Sequence, residues 1–295
     1  MIVENIREKL LDVGYSSNDT IDNALRISLA LEKPLLIEGD PGVGKSSLAK
    51  AVADALGFDF IRVQLYDGLT DDKLIYDYNY QKQLLTLEAI KPFIIDKYKN
   101  NNINDIIEKV SHELNFYGKE FLIDRPILRS ITGEGRKVIL FDEIDKAPEE
   151  IEYMLYEFLE NYSITIPEYG EIKCPEDMKP IVFLTSNNYR ELSDALRRRC
   201  NYLYIESKTK EEIIEILKAK VNIDDEVAQN IAKIIYETNT KDLGIKQPPS
   251  IGEAIEWAKY INTSDIKSSK DISETLTIIA KNYKDYLTIK ERYFK

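Results

Sequence analysis

The segment Ile37–Ser47, IEGDPGVGKSS, constrains the fold more tightly than any other stretch of the chain. Gly39, Gly44, Lys45 and Ser46 fill every fixed position of G-x-x-x-x-G-K-[ST], and the flanking sequence is what that pattern requires. The apolar run PLLIE comes before it, and KSSLAKAVADAL, closed by Gly57, comes after. Strand, loop and helix in that order predict a buried strand whose carboxyl end opens into a phosphate-binding loop. Glycines let backbone amides face phosphate oxygens, and the helix amino terminus adds positive potential. Lys45 then reaches the β- and γ-phosphates, and the Ser46 hydroxyl can ligate Mg²⁺. Gly39, Asp40, Pro41, Gly42, Val43, Gly44, Lys45, Ser46 and Ser47 are accordingly the candidate nucleotide-binding residues.

The strand before the loop has counterparts. FIRVQL (60–65), KVILF (137–141), PIVFLT (180–185) and YLYI (202–205) are also nearly all apolar and alternate with longer amphipathic stretches. Such runs predict an α/β fold, a parallel sheet sandwiched by helices. From Thr209 onward the pattern is helical only, and TKEE (209–212) and SIGE (250–253) both fit the capping box. The expected division is an α/β nucleotide-binding core over residues 1–207 and a small all-α domain over 208–295. A helical and loop insert around residues 66–130 contains YDYNYQKQLL and the run Asn100–Asn102, which reads as a loop.

VILFDEID places Asp142 and Glu143 at the end of another buried strand. Asp142 is the candidate Mg²⁺ ligand beside Ser46, and Glu143 the group that orients and polarises an attacking water. Adjacent carboxylates can also open an ordinary solvated loop. Beside a complete phosphate loop the catalytic reading prevails, and it favours hydrolysis over transfer to a small acceptor. Asn187, in FLTSNN, either bridges that water and the γ-phosphate or serves as a turn residue. ELSDALRRRC sets Arg197, Arg198 and Arg199 in succession. A run of arginines is commonly a solvated face; about ten residues after Asn187 it is also where a ring-forming nucleotidase aims an arginine at its neighbour's γ-phosphate.

Charge narrows the partners. The net charge of −12 opposes broad attraction to nucleic acid, which rests on Lys and Arg neutralising phosphates. No apolar run approaches the roughly 20 residues that cross a bilayer, and MIVENIREKLL lacks the layout of a signal peptide, so a cytoplasmic protein without membrane attachment is expected. Cys174, Cys200 and His112 cannot assemble a Cys/His zinc site by themselves. Both cysteines read as packing residues.

Loop, DE strand end, asparagine, late arginine and helical tail, in that order, resemble the AAA+ ATPases with their Walker A, Walker B, sensor 1 and arginine finger. The finer resemblance is to the MoxR family and, within it, the CoxD-like branch. It is carried by GYSSNDTIDNALRISLALEKPLLIEGDPGVGKSSLAKAVADALG, VQLYDGL, KLIYDYNYQKQLL, FLIDRPILRSI, ILFDEIDKAPEEIEYMLYEFLE, SITIPEYGEI, FLTSNNYRELSDALRRRC and PPSIGEAIEWAKYI, which together span roughly Gly14 to Ile261. The resemblance implies that the nucleotide is ATP, that the helical tail is a lid, and that six copies form a ring in which each site is completed by a neighbour. By position Arg199 looks like the finger, with Arg198 as the alternative. Further implications are a partner carrying a von Willebrand factor A domain and a remodelled protein client. CoxD-like members are associated with maturing molybdenum hydroxylases of the carbon monoxide dehydrogenase type.

One departure stands out: many AAA+ lids carry a sensor 2 arginine where PPSIGEAIEW has Gly252. Tyr76, Tyr78 and Tyr80 fall where this clade carries a loop directed at the ring axis, although packing or interface contact is the preferred reading. SITIPEYGEI reads as a hairpin that lines the axis or packs. Two rival functions are a DNA-acting AAA+ motor, opposed by the acidic charge, and a nucleotide-gated binding switch with little turnover, opposed by Glu143 and Arg199.

Overall fold

A computed structural model describes residues 5–97, 102, 115–264 and 269–294. Asn100, Asn101 and His112 therefore lie outside the described residues. The strands are β1 (Leu35–Gly39), β2 (Asp59–Gln64), β3 (Tyr76–Tyr78), β4 (Leu122–Asp124), β5 (Lys137–Asp142), β6 (Ser163–Ile166), β7 (Gly170–Lys173), β8 (Ile181–Ser186) and β9 (Asn201–Ile205). Five of them form one parallel sheet in the order β2-β5-β8-β1-β9.

The period of two along each strand divides the core between the two faces of this sheet. Leu35, Ile37, Val138, Leu140, Ile181 and Phe183 turn to one side, where the helices Ile6–Asp12, Asp19–Leu31 and Lys45–Leu56 cover them. Leu36, Ile139, Phe141, Val182 and Leu184 turn to the other, against the helices Pro126–Ile131 and Glu149–Asn161. The three central strands are buried at every position, as their apolar runs predict. β2 and β9 depart from that expectation and alternate between buried and exposed, because each lies at an edge with a single neighbour.

After β9 the described elements are all helical. Both expected capping boxes form: Thr209 N donates to Glu212 Oε2 at 2.8 Å and Ser250 N to Glu253 Oε2 at 2.7 Å. The helices Lys210–Lys220, Asp225–Thr240 and Ile251–Thr263 enclose a separate apolar cluster around Trp257. The indole Nε1 of Trp257 donates to Thr275 Oγ1 at 2.6 Å, so this buried polar atom is satisfied.

The insert contains a short antiparallel pair, β3 with β4, beside the helix Tyr80–Lys97. Tyr78 is buried and meets Tyr76 and Tyr117 edge to face, whereas Tyr80 is exposed. SITIPEYGEI forms the β6–β7 hairpin, with Ile164 and Ile166 in the main core. Cys174 packs into the same core; burial pushes the Cys200 thiol up to about 12. Among the described residues no helix is long and apolar enough to cross a membrane.

Candidate active site

The carboxyl ends of β1, β5 and β8, three adjacent strands, bring the loop, the DE pair and the asparagine together. The Nζ of Lys45, a buried residue, donates to the carbonyls of Gly39 and Asp40 at 2.6 and 2.9 Å and to Asn187 Oδ1 at 2.7 Å. Burial lowers the Lys45 pKa, opposed by the carboxylates of Asp145, Asp40, Asp142 and Glu143. An anion delivered to this ammonium would relieve part of that desolvation cost.

Ser46 Oγ donates to Asp142 Oδ1 at 2.7 Å. The pair suits Mg²⁺, which takes one or two protein oxygens and leaves the rest of its shell to phosphates and water. Among the described residues no group of three or more His, Cys, Asp or Glu could hold a metal by itself. Asp142 is held rigidly: Thr185 Oγ1 donates to Oδ1 at 2.5 Å, and the guanidinium of Arg62 meets Oδ2 at 2.6 Å.

Glu143 has φ +60°, unusual for a residue with a side chain, and its N–H donates to Thr185 Oγ1 at 2.9 Å. Its carboxylate accepts from three side chains. Gln64 Nε2 and Lys146 Nζ reach Oε2 at 2.7 and 2.9 Å, and Asn187 Nδ2 reaches Oε1 at 3.3 Å. The hydrogen bond to Glu143 raises the Lys146 pKa. Asn187 thus touches both Lys45 and Glu143. Its backbone is fixed by buried Asp145, whose Oδ2 accepts from the N–H groups of Asn187 and Tyr189.

Gln64, Lys146, Thr185, Asp145 and Arg62 escaped the sequence reading. Lys146, three residues past Glu143, and Gln64, a polar end to an apolar strand, left weak local signals; the others left none.

The rest of the loop is also fixed by its surroundings. Asp40 accepts from Ser207 Oγ at 2.9 Å, Val43 is buried in the core, and Ser47 is exposed. A Cβ on Gly39, at φ +151°, would lie 2.4 Å from the Ile205 carbonyl oxygen. Gly42 occupies a free position of the motif yet is equally restricted: at φ +82° its Cβ would lie 2.4 Å from Ser250 Cβ and 3.0 Å from Ser250 Cα. The loop and the start of the Ile251–Thr263 helix are in direct contact there, and Pro41, Val43, Ser207, Pro249 and Ser250 line the adjoining groove. Gly42→Ala is expected to cost roughly 1–3 kcal/mol through backbone strain and overpacking. Gly252→Ala, with only Ser250 Oγ at 3.7 Å and no positive φ, should be neutral or stabilising by up to about 1 kcal/mol. Denaturant unfolding of the two variants checks the contrast, and equal stabilities would refute it.

The three arginines point to different environments. Arg197 pairs with Glu38 at 2.9 Å. Arg199 donates to Glu160 Oε2 at 2.7 Å and to the Ala195 carbonyl, and lies 4.7 Å from the Tyr156 ring centroid. Arg198 is exposed and has no hydrogen-bond or ion-pair partner among the described residues. Within one chain no hydrogen bond or ion pair joins any of them to Lys45, Asp142, Glu143 or Asn187.

Residues 34–200 match the AAA domain of the dynein-related subfamily. Midasin of Giardia intestinalis is 52% identical over 59 residues, 19% of this chain and 1% of that protein. The peroxisomal Lon protease homolog 2 of Pichia angusta is 28% identical over 212 residues, 69% of this chain and 19% of that protein. A Lon protease of Finegoldia magna is 25% identical over 306 residues, 96% of this chain and 34% of that protein. The chain therefore spans a minor part of the length of each of these relatives. Among solved structures, the RuvB Holliday junction branch migration motor of Thermotoga maritima aligns with a TM-score of 0.44 and 18% identity, covering 97% of this chain and 68% of that one.

Proposed function

The chain belongs to the dynein-related subfamily of AAA domains, and from the motif resemblance described above we propose that within it the chain is a MoxR-type ATPase of the CoxD-like branch. In this reading residues 1–207 are the nucleotide-binding core, residues 208–295 are the lid, and six copies form a ring in the cytoplasm. The ring spends ATP on remodelling a protein client, together with a partner carrying a von Willebrand factor A domain. A molybdenum hydroxylase of the carbon monoxide dehydrogenase type is the client class that the motif resemblance favours. The relatives aligned over most of the chain are named proteases, which also favours a protein as the object of the work.

The observation that supports ATP hydrolysis is the meeting of Lys45, Asp142, Glu143 and Asn187 at three adjacent strand ends. Water attacks the γ-phosphorus of ATP, the β–γ phosphoanhydride bond breaks and ADP leaves; Ser46 and Asp142 would hold Mg²⁺, which would supply positive charge beside the phosphates. Lys45 exchanges the carbonyls of Gly39 and Asp40 for phosphate oxygens. Glu143 gives up one of its three donors and takes a proton from the attacking water, which Asn187 helps to orient. A neighbour's Arg199 completes the charge stabilisation.

Steady-state ATP hydrolysis, with and without single- or double-stranded DNA at moderate salt, tests the function. Hydrolysis is expected, and DNA is expected not to raise it, because an acidic surface gains little from counterion release. A severalfold, salt-sensitive stimulation would transfer the proposal to a DNA-acting motor. Nucleotide binding without turnover would leave a binding switch.

A further inference from the structure

Glu38 is a buried carboxylate, 4% exposed, in the strand that ends in the phosphate loop. It has no part in the chemistry above, yet both of its oxygens are engaged. Arg197 Nη2 donates to Oε1 at 2.9 Å and the Tyr202 hydroxyl to Oε2 at 2.9 Å. A buried charge held this way is costly unless its partners stay in place, so the three side chains are expected to move together.

The two ends of this contact belong to different sites. On one side, Glu38 precedes Gly39, whose carbonyl holds Lys45 Nζ at 2.6 Å. Gly39 is packed closely against β9 on the side where a Cβ would stand, 2.4 Å from the Ile205 carbonyl oxygen. The carbonyl that Lys45 uses and the Glu38 carboxylate therefore belong to consecutive residues of one strand. On the other side, Arg197 lies on the six-residue helix Asp194–Arg199, which also carries Arg198 and Arg199. That helix is anchored at its start by Ser193, whose hydroxyl donates to buried Glu152 at 2.6 Å. Its far end, with the arginines, is held to the loop strand through Arg197.

We propose that the Glu38–Arg197 pair, buttressed by Tyr202, is a positioning device by which a chain's own phosphate loop sets the arginines it presents to the next copy of the chain. The inference rests on the ring reading and deepens it: the pair acts in trans, although it lies entirely within one chain. Loss of the pair spoils the neighbour's site and leaves the chain's own nucleotide binding intact.

The test uses Glu38→Gln, which keeps the shape and removes the charge, and Arg197→Gln, alone and combined, with Tyr202→Phe as a milder variant should either fail to fold. Affinity for a fluorescent ATP analogue is expected to stay within about twofold, while kcat falls on the order of tenfold, within the usual range of coupling between sites. The double variant should be no worse than the worse single, because the two residues act as a unit. The deciding readout is mixing. Glu38→Gln chains added to inactive Glu143→Gln chains should recover turnover, since a site with intact Glu143 then receives arginines from a neighbour with intact Glu38. A merely structural defect would stay with its own chain and show no recovery. Wild-type kcat in both single variants, or no recovery although Arg199→Ala or Arg198→Ala chains do recover with Glu143→Gln under the same exchange, would overturn the device and leave the ring standing. Failure of every mixture would overturn the ring itself, and the device with it.

Discussion

Glu143→Gln is expected to bind ATP as the unaltered chain does and to lose turnover by on the order of 10²–10⁴, the contribution of a positioned general base. The substitution keeps the size of the side chain and an oxygen for Gln64 or Lys146, so the strand end should hold its shape. What it removes is the capacity to take a proton from water. Lys45→Ala should do the reverse. Its ammonium is the buried cation of the loop, shared between two loop carbonyls and Asn187, and without it a charge-assisted contact to phosphate is lost. Nucleotide binding should weaken roughly 10- to 100-fold, as the loss of a hydrogen bond to a charged group predicts. A fluorescent ATP analogue measures binding, and phosphate release measures turnover. If both variants lose binding equally, the division of roles between Lys45 and Glu143 is wrong.

Arg199→Ala should retain ATP binding and lose most turnover, because an arginine supplied in trans contributes on the order of 10³–10⁵ in rate in well-studied nucleotidases. The geometry within one chain is compatible with that role. Arg199 is occupied by Glu160, but this pair is substantially exposed, with side-chain exposures of 29% and 57%. Exposed pairs contribute little, about 0–1 kcal/mol, so a phosphate from a neighbouring site can displace the carboxylate. Stacking on Tyr156 would keep the guanidinium aimed meanwhile. Mixing Arg199→Ala with Glu143→Gln chains should regenerate active sites that neither variant forms alone. Full activity of Arg199→Ala by itself, or no recovery at any ratio despite proven exchange of chains, would transfer the role to exposed Arg198, whose alanine variant is then expected to show the same pattern.

Much of this molecule follows from local sequence. Fixed spacings place Lys45 and Ser46 at a helix start, apolar runs set the three central strands, and hydroxyl–carboxylate pairs three residues apart close the caps at Thr209 and Ser250. Each depends on residues a few positions apart, whose geometry the backbone dictates wherever they occur. The tertiary structure decided what surrounds these elements. Gln64 reaches Glu143 because β2 lies beside β5 with Gln64 paired to Asp142, and nothing within either strand encodes that neighbour. Gly42 is restricted by Ser250, and Glu38 is neutralised by Arg197 across 159 positions of chain. Sheet order and the docking of helices on it are set by the burial of whole faces at once. Contacts created that way leave no periodic trace in the segments that make them, and so the loop, the DE pair and the asparagine were legible from the sequence while their supports were not.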